Sequence, residues 1–156
     1  MLEMEGATAA VLRLDSYLPY RLSVASNAVS RLIARAYEDR FGLTIPQWRL
    51  IAVLAEEGPL TQQAIGARTV MDKVSVSRAT QSLVKRRLVQ RAPHGADGRS
   101  HHVTLSKAGE RLYSEISPVA LEYEARLLRH FDPAAIESLK QFLLQLEQAA
   151  AELASG

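Results

Sequence analysis

Residues 61–87 read TQQAIGARTVMDKVSVSRATQSLVKRR, and the fold turns on how this stretch is divided. Thr61 is an N-cap residue that predicts a short helix to about Ala67. Asp72 is a second cap, its side-chain oxygen suited to free N–H groups of a first turn, and predicts a helix to about Arg87. Two short helices joined by a few residues predict a helix-turn-helix. On a wheel of about 100° per residue, Val76, Ala79, Thr80 and Leu83 share one side of the second helix. Val74, Arg78, Gln81 and Lys85 lie opposite, with Ser75 and Ser82 at the edge. The inner side is small and mostly apolar, and the outer side offers donors and acceptors.

Charge concentrates over the same region. The chain of 156 residues has a formal net charge of +2. Residues 61–106 hold eight Lys/Arg (Arg68, Lys73, Arg78, Lys85, Arg86, Arg87, Arg91, Arg99) against Asp72 and Asp97, a local +6 that leaves −4 for the rest. A basic segment between acidic flanks is what a polyanion-binding surface requires. A duplex major groove admits a helix; Arg can pair with guanine, Gln with adenine, and an aliphatic chain can touch a thymine methyl. Val74, Arg78, Gln81 and Lys85 suit that use, while Thr69, Lys73, Ser75 and Ser77 near the helix start suit phosphates.

Working outward, apolar residues recur at Leu18, Leu22, Ala25, Val29, Leu32 and Ala36, predicting one helix over about 15–40, ended by Gly42. Thr44 and Pro46 start another, closed by Gly58-Pro59 after Glu57, with Trp48, Ile51, Ala52 and Ala55 on its buried side. Short β-prone runs at 88–91 and 100–105, with Gly95 and Gly98 between, predict a hairpin. Ser106 caps a long helix to near Phe131, and Asp132-Pro133 opens the last. In that helix Ile136, Leu139, Leu143, Leu146, Ala150 and Leu153 form a heptad seam, made for packing along another helix of the same or a second chain. The whole is a single domain, mainly α with a small β-hairpin.

Several function classes drop out. No cysteine is present, which excludes disulfides, thiolate metal sites and a cysteine nucleophile. There is no glycine-rich phosphate loop and no persuasive Ser-His-acid grouping, and Glu56 and Glu57 merely close a helix, so no enzyme and no cofactor is expected. His101 and His102 are adjacent on a predicted strand, point to opposite faces and cannot easily share an ion; with His94 and His130 they predict no metal site. The acidic start lacks a signal-peptide pattern and the longest apolar run is residues 50–55, so a soluble, cytoplasmic chain without membrane contact is expected.

Three motifs in order then carry a resemblance. D-K-x-x-V-S-R is filled by Asp72, Lys73, Val76, Ser77 and Arg78, and L-V-x-R by Leu88, Val89 and Arg91. D-x-R-S-x-x-V-x-L-[ST]-x-x-G is filled by Asp97, Arg99, Ser100, Val103, Leu105, Ser106 and Gly109. The chain resembles the MarR family of bacterial transcriptional regulators. The resemblance implies a winged helix-turn-helix lobe over about 44–105 and dimerisation helices over about 15–42 and 106–153. It also implies a cytoplasmic homodimer on double-stranded DNA with a pseudo-palindromic operator. Arg99 would enter the minor groove, held by Asp97. Many such regulators are repressors released by small aromatic or phenolic acids; Tyr17, Tyr20, Arg21 and Trp48, placed where the first two helices would meet, suit an aromatic carboxylate or its thioester. The competing reading is a winged-helix protein-interaction module without sequence-specific DNA binding, whose affinity for duplex DNA would be weak and indifferent to sequence.

Overall fold

The computed structural model describes residues 10–94 and 100–156. After a short 3-10 helix (Leu14–Ser16) come α1 (Leu18–Ala34), α2 (Glu38–Phe41), α3 (Ile45–Glu57), β1 (Leu60–Thr61), α4 (Gln62–Thr69), α5 (Lys73–Lys85), β2 (Val89–His94), β3 (Ser100–Leu105), α6 (Lys107–Leu128) and α7 (Pro133–Ser155).

The predicted caps start their helices. Thr44 Oγ1 accepts from the Gln47 N–H at 3.3 Å while Gln47 Oε1 accepts from the Thr44 N–H at 3.0 Å, a full capping box. Thr61 Oγ1 accepts from the Ala64 N–H and Ser106 Oγ from the Gly109 N–H, both at 3.1 Å. Asp132 Oδ1 accepts from the Ala134 N–H, also at 3.1 Å. Asp72 Oδ1 accepts from the Ser75 N–H and Oδ2 from the Ser75 hydroxyl, each at 2.8 Å. These bonds hold the Asp72 carboxyl below its ordinary pKa. Its cap is therefore complete above the ordinary Asp range and is lost only as pH falls through the lowered folded value.

The first predicted helix does not run unbroken over 15–40. It ends at Ala34, turns through residues 35–37 and resumes for one turn as α2, where Gly42 at φ 63° closes the end. The break buries Ala36 and Tyr37 and sets the Tyr37 ring against Trp48, a gain in apolar burial that outweighs the lost helical hydrogen bonds. Smaller differences are that α4 runs to Thr69, α5 stops at Lys85, and α6 stops at Leu128.

The hairpin is longer than predicted and has a third strand. β2 and β3 pair antiparallel from Val89 opposite Leu105 to His94 opposite Ser100, and β1 pairs with β3 through Leu60 opposite Val103 and Thr61 opposite His102, giving the order β1-β3-β2. Pro93 is tolerated because β2 is an edge strand. A two-residue strand has no alternation to read, and Thr61 signals a helix cap more strongly.

The core centres on the lobe from α3 to the first half of α6, with Ala34, Ala36, Tyr37 and Leu43 joining it from the end of α1 and the segment that leads into α3. Leu50, Ile51, Val53 and Leu54 of α3 meet Ile65 of α4, Val76, Ala79 and Leu83 of α5, Val89 and Val103 of the sheet and Ile116 of α6. Thr80 is buried among them and satisfies its hydroxyl by donating to the Val76 carbonyl at 2.7 Å. By contrast, the first part of the α1 stripe and the seam on α7 find no cover among the described residues, although Leu32 is half-buried and Ala36 buried where α1 meets the lobe. Leu18, Leu22 and Val29 are exposed, as are Leu139, Leu143, Leu146 and Leu153, and every residue of α7 but Ile136 is exposed.

Between α4 and α5, Val70 has φ 55° and ψ 37° and is 88% exposed. The left-handed region is costly for L-residues, by about 1–2 kcal/mol, and worst for β-branched ones, whereas asparagine visits it routinely. Val70→Asn loses no packing and is expected to stabilise the chain by about 1 kcal/mol, a rise of roughly 2–4 °C in thermal unfolding. An unchanged or lower midpoint would count against strain at this turn.

Candidate nucleic-acid interface and ligand cleft

Helix α5 keeps the two faces expected of it. Val76, Ala79, Thr80 and Leu83 are buried in the lobe, while Val74, Arg78, Gln81 and Lys85 are exposed on the other side. Arg78, Gln81 and Lys85 make no hydrogen bond to another described residue, so their donors stay available to a ligand. Arg78 also lines a groove of about 330 Å³ with Thr44, Pro46, Gln47, Ser75, Ala79 and Ser82, between α5 and the first turn of α3. Lys73 lines a second groove with Gln62, Gln63, Gly66, Ala67, Met71 and Val76, between α4 and α5.

The surrounding charge is more selective than the sequence total suggested. Arg68 is engaged by α3, donating from Nε to Glu57 Oε1 at 2.6 Å and from Nη2 to Glu56 Oε2 at 3.4 Å. Arg86 donates from Nη2 to the Phe41 carbonyl at 2.8 Å and from Nη1 to the Gly42 carbonyl at 3.3 Å. Both cations hold elements together. Two hydroxyls expected at phosphates are also occupied: Ser75 donates to Asp72, and Thr69 donates to the Ile65 carbonyl at 2.6 Å. A phosphate oxygen is only an acceptor, so Lys73 and the half-buried Ser77 are the better placed of the four. Asp97 and Arg99 lie outside the described residues.

The structure also joins a residue that sequence reasoning missed. Gln47 Nε2 donates to Ser82 Oγ at 2.9 Å, tying α3 to the outer edge of α5 across 35 residues. A capping glutamine carries no local signal of a second, distant partner.

A separate cleft of about 230 Å³ opens among Ile33, Trp48, Tyr113, Ser117, Ala120, Leu121 and Glu124, where α1, α3 and α6 meet. Trp48 stands in a stack of three rings, 5.4 Å from Tyr37 and 5.8 Å from Tyr113 with interplanar angles of 21° and 16°. Burial, with Glu38 adding to it, raises the pKa of the Tyr37 phenol. Of the four residues expected to gather here, only Trp48 does. Tyr17, Tyr20 and Arg21 are exposed at the start of α1. Arg21 is twelve residues before Ile33, about 18 Å along a helix rising 1.5 Å per residue. Tyr113 takes the place expected of a tyrosine from α1; it is 65 residues from Trp48, and nothing local in the sequence pairs them.

Among the described residues, no group of three or more His, Asp or Glu side chains could hold a metal ion, and no helix is long and apolar enough to cross a membrane.

A family model described as MarR family matches residues 41–100, from the end of α2 into β3. The HTH-type transcriptional regulator YwoH of Bacillus subtilis is 33% identical over 136 residues, spanning 83% of this chain and 98% of YwoH. Among solved structures, a MarR/EmrR family transcriptional regulator from Acinetobacter sp. ADP1 superposes with a TM-score of 0.82 at 26% identity, over 90% of this chain and 99% of that one. Bordetella bronchiseptica BpsR, described as regulated in its DNA binding by 6-hydroxynicotinic acid, shares the fold with a TM-score of 0.76 at 22% identity, over 83% and 98% of the two chains.

Proposed function

The chain belongs to the MarR family of DNA-binding transcriptional regulators, and from that premise we propose that it acts as a homodimeric, cytoplasmic repressor of a pseudo-palindromic operator, released by a small aromatic compound. The observation that carries the DNA reading is the open outer face of α5, with Arg78, Gln81, Lys85 and Val74 set against a buried inner face. In this reading Arg78 and Gln81 meet base edges, Val74 a thymine methyl, and Lys73 and Ser77 phosphates, with Lys85 at the far end of the helix. Arg99, steadied by Asp97, reaches the adjacent minor groove from the wing. Homodimerisation is supported by the uncovered stripes of α1 and α7, since monomeric proteins rarely leave large contiguous apolar patches bare.

The test is to select duplexes from a random-sequence pool with the wild-type chain and measure affinity as salt is varied. Arg78→Ala is expected to weaken the selected duplex by about 10- to 100-fold and to relax preference at one base position. Lys73→Ala is expected to weaken selected and scrambled duplexes alike and to reduce the salt slope by about 1. Wild-type binding that is weak and indifferent to sequence would return the protein-interaction reading.

The effector reading rests on the cleft. Its volume of about 230 Å³ lies below the roughly 300–1,000 Å³ of drug-sized sites and suits one substituted ring. The ligand that regulates BpsR, 6-hydroxynicotinic acid, is of that size. Among the described residues Glu124 is the only charged one lining the cleft, so ring stacking rather than charge pairing carries the fit, and Arg21 stands too far along α1 to meet the acid group in the same chain. Hydroxybenzamides are therefore expected to raise the thermal midpoint more than the matching hydroxybenzoates. Tyr113→Ala should remove both responses. A response to benzoates alone that Arg21→Ala abolishes would restore the anion-binding reading.

A further inference from the structure

Helix α5 packs on the lobe through Val76, Ala79 and Leu83, and apolar contact of this kind is non-directional. Small side chains on a buried face leave a helix some freedom to roll or slide. Two polar moorings remove that freedom. Ser82 Oγ, in the last turn of α5, accepts from Gln47 Nε2, and the same amide is oriented at its other end because Gln47 Oε1 accepts from the Thr44 N–H. At the C-cap, the Arg86 guanidinium spans the carbonyls of Phe41 and Gly42. Both moorings land within residues 41–47, which comprise the last residue of α2, the link at 42–44 and the first turn of α3, and so carry the chain from α2 into α3. That connection is where the dimerisation helices hand over to the DNA-binding lobe.

We propose that Gln47 and Arg86 are positioning residues that fix the roll and reach of α5 relative to α1, and so set the half-site spacing the dimer accepts. Neither residue needs to touch a base. Two recognition helices fit successive major grooves only if each is held at a defined angle to the shared dimer axis, and a helix free to roll reads neighbouring spacings almost equally well. Arg86 is suited to this because its planar fork reaches two carbonyls at once, which a lysine ammonium does not. The inference rests on the dimer reading above.

The test compares wild type with Ser82→Ala, Arg86→Lys and the double variant. Ser82→Ala removes the acceptor for Gln47 while leaving the Thr44 capping box whole, and Arg86→Lys keeps the charge while losing the fork. Each is measured against the selected duplex, the same duplex with one central base pair inserted or deleted, and a single half-site. Wild type is expected to lose at least tenfold on either altered spacing, roughly the effect of a misplaced half-site. The double variant should lose about tenfold on the native spacing alone, so that its three spacings converge, with half-site affinity and salt slope unchanged. Ser82→Thr, which keeps the hydroxyl, should retain the wild-type preference.

A double variant with the wild-type spacing penalty overturns the proposal. So does an equal loss on all duplexes including the half-site, which would make the moorings general supports. Sedimentation of the wild type separates the two levels of failure. A monomer without spacing preference removes the dimer reading and this inference with it, whereas a dimer whose spacing preference survives in every variant removes the moorings alone.

Discussion

Gly109→Ala is expected to destabilise the chain by about 2–3 kcal/mol, a large effect for the addition of one methyl group. Gly109 is buried in the first turn of α6, where the helix crosses the strand entering the wing. A methyl group at this position would overlap the carbonyl oxygen of Leu88 and come within 3.2 Å of the Leu105 side chain. The carbonyl cannot retreat, because it accepts from the Ser106 N–H at 3.0 Å. Ser106 is fixed in turn, its hydroxyl donating to the Arg87 carbonyl at 2.7 Å while accepting from the Gly109 N–H. Alanine's better helix propensity returns about 1 kcal/mol, less than an overlap against immobile backbone removes. Thermal unfolding should fall by roughly 5–10 °C for a chain of this length. Because α6 carries the chain from the lobe to α7, DNA binding should weaken near the lowered midpoint before the helices melt. A midpoint within about a degree of wild type would show that α6 does not press on Leu88 as described.

The second large effect concerns association. On the homodimer proposed above, Leu143→Asp with Leu146→Asp is expected to leave only monomers and to weaken the selected duplex by about 10²- to 10⁴-fold, the advantage lost when two linked sites become one. Both leucines lie on the uncovered seam of α7, and burying each against a partner contributes about 1.5–3 kcal/mol. Two carboxylates there would have to be desolvated unpaired for the helices to meet. The fold itself should survive, since α7 supplies no buried residue to the lobe. The expected signature is therefore a monomer by sedimentation with near-wild-type helical circular dichroism and unchanged half-site affinity. A double variant that remains dimeric would place the interface elsewhere, with the exposed start of α1 the next candidate.

How far each feature could be read in advance follows from its range along the chain. The caps Thr44, Thr61, Asp72, Ser106 and Asp132 act on N–H groups two or three residues away, so composition alone reveals them. The two faces of α5 follow from helical periodicity, which is equally local. The Arg35–Tyr37 break escaped because the apolar spacing continues through Ala36, and only the docking of Tyr37 on Trp48 makes an interrupted helix the better one. β1 escaped because its partner β3 lies some 40 residues on.

What the amino-acid sequence determined by itself, then, is a helix-turn-helix with a basic wing-bearing segment between two amphipathic helical arms, because caps, turns and periodicities depend on neighbours within a few residues. The tertiary structure alone decided which of the many candidate side chains are spent and which are free. It engaged Arg68 and Arg86 with other elements, turned the Ser75 hydroxyl onto Asp72, left Arg78, Gln81 and Lys85 facing outward, and brought Trp48, Tyr113 and Ile33 to one cleft while leaving Tyr17, Tyr20 and Arg21 exposed at the start of α1. These are choices among chemically equivalent residues far apart in the chain, and only close packing in three dimensions distinguishes them.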